Sequence, residues 1–275
     1  MRVQRLGEAV VCGGFALACL LFATSLSSAQ ITEEAKASPG APLSLDQVVQ
    51  KLEDRNVSRA TALQEFEGER TYRLQYRGFP SDRDAEMVVK VAFHAPNSKQ
   101  FTVISQSGSK FIIDHVFKKL LESEQEAARA DSRQQTALTR ENYQFQLAGY
   151  ENSRNGSSYV LQLIPKTKNK FLYRGKIWID ANDFAVVRIE AEPGKNPSMW
   201  IKKTEILHTY SKLGDFWMPA ENRTVSSLRL GGTATLSIEY QNYKITKAVR
   251  VARKSSRVGD SSLLDGRLAS VSPAP

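Results

Sequence analysis

The sequence predicts a mainly β (α+β) fold: a single incomplete antiparallel β-barrel of about ten strands, curled around two or three helices. Residues 174–245 contain five strand-like segments joined by short turns of Gly, Asn and Asp, such as 180–183 and 231–232. Further strand pairs precede them, and only two segments have a long helical pattern. Two helices about 10 Å wide cannot cover a flat sheet on the order of 48 Å wide, so the sheet must curl around them.

The N-terminal segment has the three-part pattern of a secretory signal peptide. Arg2 and Arg5 precede a mostly apolar run over 9–23, and small residues lead to a cleavage point between Ala29 and Gln30. The apolar run is shorter than the ~20 residues that a membrane span requires. We therefore predict export with cleavage after Ala29, and a retained membrane anchor is the alternative.

Cysteine use and charge limit the possible chemistry. Cys12 and Cys19 both lie in the predicted signal peptide, and the residues around Cys19 lack the pattern of a lipoprotein anchor. The exported chain would have no cysteine, which excludes thiol catalysis and cysteine metal sites. The net charge of +9 is spread along the chain and is compatible with a location near anionic lipid or wall polymer at least as well as with binding to nucleic acid.

The predicted segments are a signal peptide (1–29), a flexible leader (30–43), one barrel domain (44–247) and a disordered basic tail (248–275).

The barrel domain begins with a helix and three strands. Ser44 and Gln47 form a capping box, and apolar residues recur at helical spacing through Leu52. Another helical turn or two is expected over 60–66. Alternating apolar and polar residues then predict strands in 69–78, 85–95 and 99–105.

A second helix is predicted from Ser109, with its charged end beyond Glu122 projecting into solvent. Its apolar stripe contains Ile113, Val116, Phe117, Leu120 and Leu121. A hairpin follows, with strands in 142–151 and 157–166, and leads through a basic crossover into the five-stranded segment. In the last strand the alternation changes face after Tyr240, which predicts a bulge near Asn242.

Helices that fill a curled sheet seldom pack it completely, so an apolar ligand cavity is predicted between the sheet and the helices. Its expected lining consists of Met87, Val89, Val91, Phe93, Ile177 and Ile179 from the strands and Ile113, Phe117 and Leu121 from the second helix. The crossover could also dock on anionic lipid headgroups. Its cations are Lys166, Lys168, Lys170, Arg174 and Lys176. The alternative for this segment is a solvated loop whose aromatic residues cover the barrel edge.

No residue set has the pattern of a catalytic or metal centre. His94, His115 and His208 lack the spacing of metal ligands. Asp180 and Asp183 lie in a turn, where Asp shapes the backbone. Nucleophile-elbow, Walker and dinucleotide glycine motifs do not occur. We therefore expect no enzyme, no cofactor and no metal, and a hydrolase of wall polymers is the weakest hypothesis.

Two stretches of the meander resemble a known family. Residues 176–192 contain W-x-D, an acidic turn and V-x-R-I-E, and residues 215–245 contain D-x-W-x-P. Over 45–247 the chain is similar to the LolA-like family of periplasmic outer-membrane lipoprotein-sorting proteins. The resemblance implies an incomplete barrel, a cavity for acyl chains and no cofactor. Ala95 stands before Pro96 where the carriers tend to have arginine, so the carrier mechanism that uses that arginine is not implied.

Two functional hypotheses follow. The first is an exported, monomeric periplasmic protein that binds an acylated ligand (lipid or lipoprotein), with transient contact to an anionic membrane and none to nucleic acid. The alternative is a non-enzymatic interaction or regulatory module of the cell envelope with a filled core. Displacement of an apolar dye by fatty acid favours the first, whereas the absence of any internal void favours the second.

Overall fold

The computed structural model describes residues 43–249 except 97, 128–133, 154–155, 197 and 230. The predicted signal peptide, nearly all of the leader and the tail beyond Val249 lie outside the described residues. Cleavage between Ala29 and Gln30 therefore stays a prediction.

Ten strands form one antiparallel sheet in the order β3-β2-β1-β10-β9-β8-β7-β6-β5-β4. Because β3 and β4 are the two edges and do not pair, the sheet stays open, and the predicted fold class is confirmed. The strands are β1 (Leu63–Arg77), β2 (Arg83–His94), β3 (Ser98–Gly108), β4 (Tyr143–Ser153), β5 (Gly156–Pro165), β6 (Tyr173–Asp180), β7 (Val186–Pro193), β8 (Ile201–Leu213), β9 (Phe216–Leu228) and β10 (Thr233–Ala248).

Helix α1 (Leu45–Ala62) precedes the sheet. The predicted capping box is present, because Ser44 Oγ accepts from the Gln47 backbone N–H at 3.3 Å and Gln47 Oε1 accepts from the Ser44 N–H at 3.0 Å. The helical turn predicted over 60–66 is wrong beyond Ala62. There the backbone pairs with two strands at once as the start of β1, and this pairing overrides the local helical pattern.

Helix α2 follows β3 and consists of three successive pieces, Lys110–Ile112, Ile113–Phe117 and Lys118–Ala127, of which the middle one is a π-helical segment. At its start Gly108 has a φ of 88°, and a Cβ there would come within 2.3 Å of the Asp84 carbonyl oxygen. Only glycine fits such a position without moving the backbone. This tight junction directs the chain from the edge strand back across the sheet.

The bulge predicted near Asn242 is confirmed. Asn242 has a φ of 54°, and the pairing of β1 with β10 shifts register between Glu67, opposite Lys244, and Glu69, opposite Gln241. An extra residue in one strand changes which face its following side chains take. The aromatic ring of Tyr243 therefore packs edge-on against Phe66, at a centroid distance of 5.8 Å.

Both helices lie on the same face of the sheet, but over different strands. The α1 core contains Val48, Val49 and Leu52 of the helix and apolar residues of β4 to β8. The α2 core combines the buried face of α2 with apolar residues of β1, β2 and β10. A smaller cluster contains Ala62, Phe66, Phe216 and Met218. The hollow of the sheet is therefore filled by two separate main cores.

Candidate functional site

The α2 core consists of an apolar floor, which the sheet forms, and a cover, which is the single helix α2.

 The sheet contributes seven large side chains, each at most 1 % exposed. They are Tyr72, Leu74, Met87, Val89, Val91, Leu236 and Ile238. The helix contributes Ile112, Ile113, Val116, Phe117 and Leu120. The sheet residues form one continuous apolar surface, which α2 covers.

The nine predicted cavity residues do not form one site. Met87, Val89, Val91, Ile113 and Phe117 meet in the α2 core, and the half-buried Leu121 packs against it. The other three predicted residues lie elsewhere. Phe93 stacks on Phe66 in the smaller cluster, at a centroid distance of 5.1 Å, and Ile177 and Ile179 belong to the α1 core. The structure thus brings six of the nine residues together.

A buried ion pair joins α2 to the sheet. Arg70 of β1 donates through Nη1 to both carboxylate oxygens of Glu124, at 2.8 and 2.7 Å. Lys99 of β3 lies 3.5 Å from the same carboxylate, and the Arg70 guanidinium lies over the ring of Tyr240 at 4.9 Å. The expectation that α2 projects into solvent beyond Glu122 is therefore wrong at Glu124, which is only 8 % exposed, whereas Gln125 is exposed.

The two charges of this pair stabilise each other. Burial by itself would lower the pKa of Arg70, but the adjacent Glu124 carboxylate outweighs burial and raises it well above its ordinary value. Burial would raise the pKa of Glu124, but Arg70 and Lys99 outweigh it and lower that pKa. Both groups are therefore charged at neutral pH. The sequence contained one signal for this buried pair. Arg70 stands two residues before Tyr72, so its side chain lies on the apolar face of β1.

Helix α1 is held by polar contacts to loops and turns. Arg140 pairs with Glu53 at 2.7 Å, and Arg59 donates to the Phe184 carbonyl oxygen at 3.3 Å. The Leu43 backbone N–H, just before the helix, lies 3.3 Å from the Tyr159 hydroxyl oxygen. Among the described residues, the ion pairs between α2 and the sheet all involve Glu124. The two helices thus differ in how they are attached.

A polar strip on β8 and β9 separates the two cores. Thr204 and Ser226 are joined through their hydroxyls at 3.1 Å, and Thr224 Oγ1 donates to Asn222 Oδ1 at 3.2 Å. His208 contacts the Asn222 amide, with 3.1 Å between Asn222 Nδ2 and His208 Nδ1. These side chains share a face with Ile206 on one side and with Leu236 and Ile238 on the other.

His208 is neutral at physiological pH. It is 2 % exposed, and burial lowers its pKa from 6.5 to about 4. The other two histidines lie elsewhere, His94 at the end of β2 and His115 in α2. Within the described part of the chain, no group of three His, Cys, Asp or Glu residues is arranged to hold a metal.

The turn carboxylates have a structural role. Asp180 Oδ1 accepts hydrogen bonds from the backbone N–H groups of Asn182, at 3.0 Å, and Asp183, at 2.7 Å. Such bonds fix the tight turn between β6 and β7. Asp183 in turn accepts from the indole N–H of Trp217 at 3.0 Å. Both carboxylates thus serve the turn and its neighbours.

The five predicted docking cations fall on two surfaces. Lys166, Lys168 and Lys170 are exposed in the connection between β5 and β6. Arg174 and Lys176 are exposed on β6 itself, on the face opposite the helices. Arg174 borders an open groove of about 550 Å³ on that outer face. The groove carries charges of both signs that pair with one another, as Lys203 does with Glu205 at 2.6 Å. The charges that line this groove therefore favour neither an anionic nor a cationic ligand.

Comparisons with known proteins find a family match and distant structural likenesses. Residues 136–244 match a family of unknown function, DUF5686. A search of curated proteins finds no match. Among solved structures, a domain classed with outer membrane lipoprotein-sorting proteins from Vibrio parahaemolyticus is 11 % identical, with a TM-score of 0.36, over 74 % of this chain and 93 % of that one.

Two further structures are similar to the chain at the same level. A DUF1329 family protein from Desulfovibrio piger is 12 % identical, with a TM-score of 0.38, over 74 % of this chain and 93 % of that one. A LolA superfamily protein from Nitrosomonas europaea is 10 % identical, with a TM-score of 0.32, over 74 % and 94 %. The last of these structures bears the name of the family that the sequence resembles.

In the part of the chain that the structure describes, no helix is both long enough and apolar enough to cross a bilayer.

Proposed function

We propose that the protein is a non-enzymatic, exported binding protein for acyl chains, and that the ligand binds between α2 and the sheet. The chain has an apolar floor of seven side chains in this place, contributed by β1, β2 and β10. The cover is one helix that packs on this floor, and among the described residues its ion pairs to the sheet all use one carboxylate, Glu124. That mode of attachment is the observation that carries the proposal.

The α2 core is closed in this structure, so an acyl chain can enter only if α2 moves. Phe117 and Leu120 are fully buried against the floor, and Phe117 packs on Tyr72 at a centroid distance of 6.1 Å. The π-helical segment Ile113–Phe117 lies in the middle of this contact, and such segments are common at functional sites. An acyl chain would replace the contacts of the helix with contacts of its own methylenes.

Burial of methylenes would provide the binding energy. Each buried CH₂ contributes about 0.8 kcal/mol, which corresponds to roughly fourfold in affinity. Affinity should therefore rise with chain length until the floor is covered. Titration of the mature protein with fatty acids of increasing length, by displacement of an apolar fluorescent dye, measures this directly. Affinity that is absent, or that does not depend on length, would refute the proposal.

Two phenylalanines provide a matched pair of variants that locates the site. Phe117 lies in the α2 core and Phe145 in the α1 core, and both are buried. Replacement of either by alanine should cost about 3–5 kcal/mol of unfolding free energy. Only Phe117→Ala should alter the dependence of affinity on chain length, because only this ring lies over the proposed floor. Equal effects of the two variants on binding would show that the ligand site is not under α2.

One observation favours the second function, an interaction or regulatory module with a filled core. In both main cores the apolar helix side chains that face the sheet are buried. Such packing is what a permanently closed scaffold requires. If fatty acids fail to displace the dye, and amide exchange in α2 is as slow as in the central strands, the module hypothesis takes the place of the carrier hypothesis.

A further inference from the structure

One end of the sheet carries a cluster of cations together with exposed apolar side chains. The pairs Tyr173–Pro193, Ile201–Leu228 and Arg77–Thr233 all lie at this end. The connections β5–β6, β7–β8 and β9–β10 therefore lie beside one another, and the β1–β2 turn comes next. We call these three connections, with the first residues of β8, the cationic rim.

Direct contacts make the rim a continuous surface. The Gly194 N–H donates to the Leu172 carbonyl oxygen at 2.6 Å, which joins the first two connections. The Arg229 N–H donates to the Trp200 carbonyl oxygen at 2.8 Å, which joins the second to the third. Gly232 lies directly against Gly78 of the β1–β2 turn, since a Cβ on Gly78 would come within 2.6 Å of the Gly232 Cα.

The charge of the rim has one sign. Its exposed cations are Lys166, Lys168, Lys170, Lys195, Lys202 and Arg229. Residues 166–172, 194–202 and 228–232 contain no Asp or Glu. Acids border the rim: Glu192 of β7 lies 3.7 Å from Lys203, and Asp82 of the β1–β2 turn lies 3.8 Å from Arg77. Two tight turns at the opposite end of the sheet contain Asp183 and Asp215 instead.

The rim and its adjoining turn also expose the two most accessible large apolar side chains of the described residues. Phe79, in the β1–β2 turn, is 76 % exposed, and Met199, in the β7–β8 connection, is 75 % exposed. Exposed side chains of this size are costly in water but gain free energy at the boundary between headgroups and acyl chains. The crossover is held in place beneath, because Phe171 packs against the α2 core.

We propose that the cationic rim docks on an anionic phospholipid bilayer, with Phe79 and Met199 entering the headgroup region. The chemistry of the surface matches this one partner, since lysines attract the anionic headgroups while the two apolar side chains enter the interface. The inference is independent of the acyl-binding proposal. It assigns the exposed rim cations, among them Lys168, Lys170 and Lys195, to docking and leaves Arg174 and Lys176, on the outer face of β6, without a part in it.

Flotation with lipid vesicles tests the docking. The mature full chain, basic tail included, should bind vesicles of phosphatidylcholine with about one third phosphatidylglycerol and should not bind pure phosphatidylcholine. The triple variant Lys168→Gln, Lys170→Gln, Lys195→Gln should lose on the order of 100-fold in affinity, because each cation contributes about fivefold. Added salt should weaken the wild-type protein more than this variant.

A second triple variant with the same charge change provides the control. Lys51→Gln, Lys244→Gln and Lys247→Gln remove three exposed lysines near the opposite end of the sheet. This variant should bind anionic vesicles within a factor of about two of the wild type, as expected if distant charges are screened. An equal loss in both triple variants would overturn the proposal, because binding would then follow net charge alone.

A separate variant tests the contribution of the two exposed apolar side chains to vesicle binding. Phe79→Ser and Met199→Ser together should release the protein from vesicles but leave its binding to soluble polyphosphate unchanged. No loss of vesicle binding would overturn the bilayer assignment and indicate a general polyanion surface. Binding of soluble fatty acid should be unaffected by all rim variants, so a failure of docking and a failure of acyl binding are distinguishable.

Discussion

Replacement of Glu124 by glutamine removes one buried charge and leaves Arg70 and Lys99 without their counter-charge. The side chains of Arg70 and Glu124 are only 6 % and 9 % exposed, so solvent screens the pair little. With charge centres about 4 Å apart and an effective dielectric constant of 20, the lost attraction is about 4 kcal/mol. Glutamine keeps one oxygen that can accept from Arg70. We therefore expect Glu124→Gln to lower the unfolding free energy by about 3 kcal/mol.

Urea denaturation measures this loss, and β1 itself provides the control. Arg73, on the outer face of β1, pairs with Glu86 at the same 2.7 Å distance that joins Arg70 to Glu124, but its side chain is 44 % exposed. Glu86→Gln should cost no more than about 1 kcal/mol, because water screens that pair. If Glu124→Gln costs no more than Glu86→Gln, the carboxylate is not buried and α2 does not close over the sheet.

The double variant Arg70→Met, Glu124→Leu tests whether the loss arises from the stranded charge. Removal of both charges replaces a buried pair with apolar volume, which is often neutral or stabilising. The double variant should therefore be more stable than Glu124→Gln. Lys99 remains, but its partly exposed ammonium can turn to solvent. A double variant less stable than the single one would mean that the contacts of Arg70 with Tyr72 and Tyr240 outweigh the charge pair.

The remaining predictions concern His208 and the N-terminus. Because burial lowers the pKa of His208 from 6.5 to about 4, the unfolded chain takes up a proton in this pH range that the folded chain excludes. The unfolding free energy should therefore fall by about 3 kcal/mol between pH 6.5 and pH 4 because of this residue. The His208→Gln variant should not show this part of the decrease when both proteins are unfolded in urea at the two pH values. An equal loss in both proteins would show that His208 is not buried as a neutral ring. N-terminal sequencing of the exported protein should start at Gln30, and a chain that still begins with Met1 would contradict cleavage after Ala29.

The sequence correctly predicted the features that depend only on residues close together in the chain. Ser44 and Gln47 are three residues apart, so their capping box can be read directly from the sequence. The change of face after Tyr240 indicated the bulge at Asn242, because the period of two is a property of a single strand. The open ten-stranded sheet followed from counting such strands and from the few helices available to cover them.

The division into two cores could not be predicted, because it depends on contacts between distant strands. The inward face of β9 contains Asn222, Thr224 and Ser226, and which neighbours they meet is set by pairing with β8 and β10. The burial of Glu124 depends on Arg70, 54 residues earlier in the chain. A charged residue near a helix end indicates exposure unless its partner is known. For this reason the sequence placed Ile177 in a common cavity with Met87, although different helices cover them.

The polar strip on β8 and β9 affects how substitutions in the two cores can combine during evolution. Substitutions under α1 do not meet those under α2, because Thr224 lies between Ile206 and Leu236. Changes of volume in the two cores should therefore combine additively, and each core is free to drift without compensation in the other. The family match, residues 136–244, includes all the strands over which α1 lies but neither α2 nor β1 to β3. The matched residues thus contain the whole sheet floor under α1 but only the β10 part of the floor under α2.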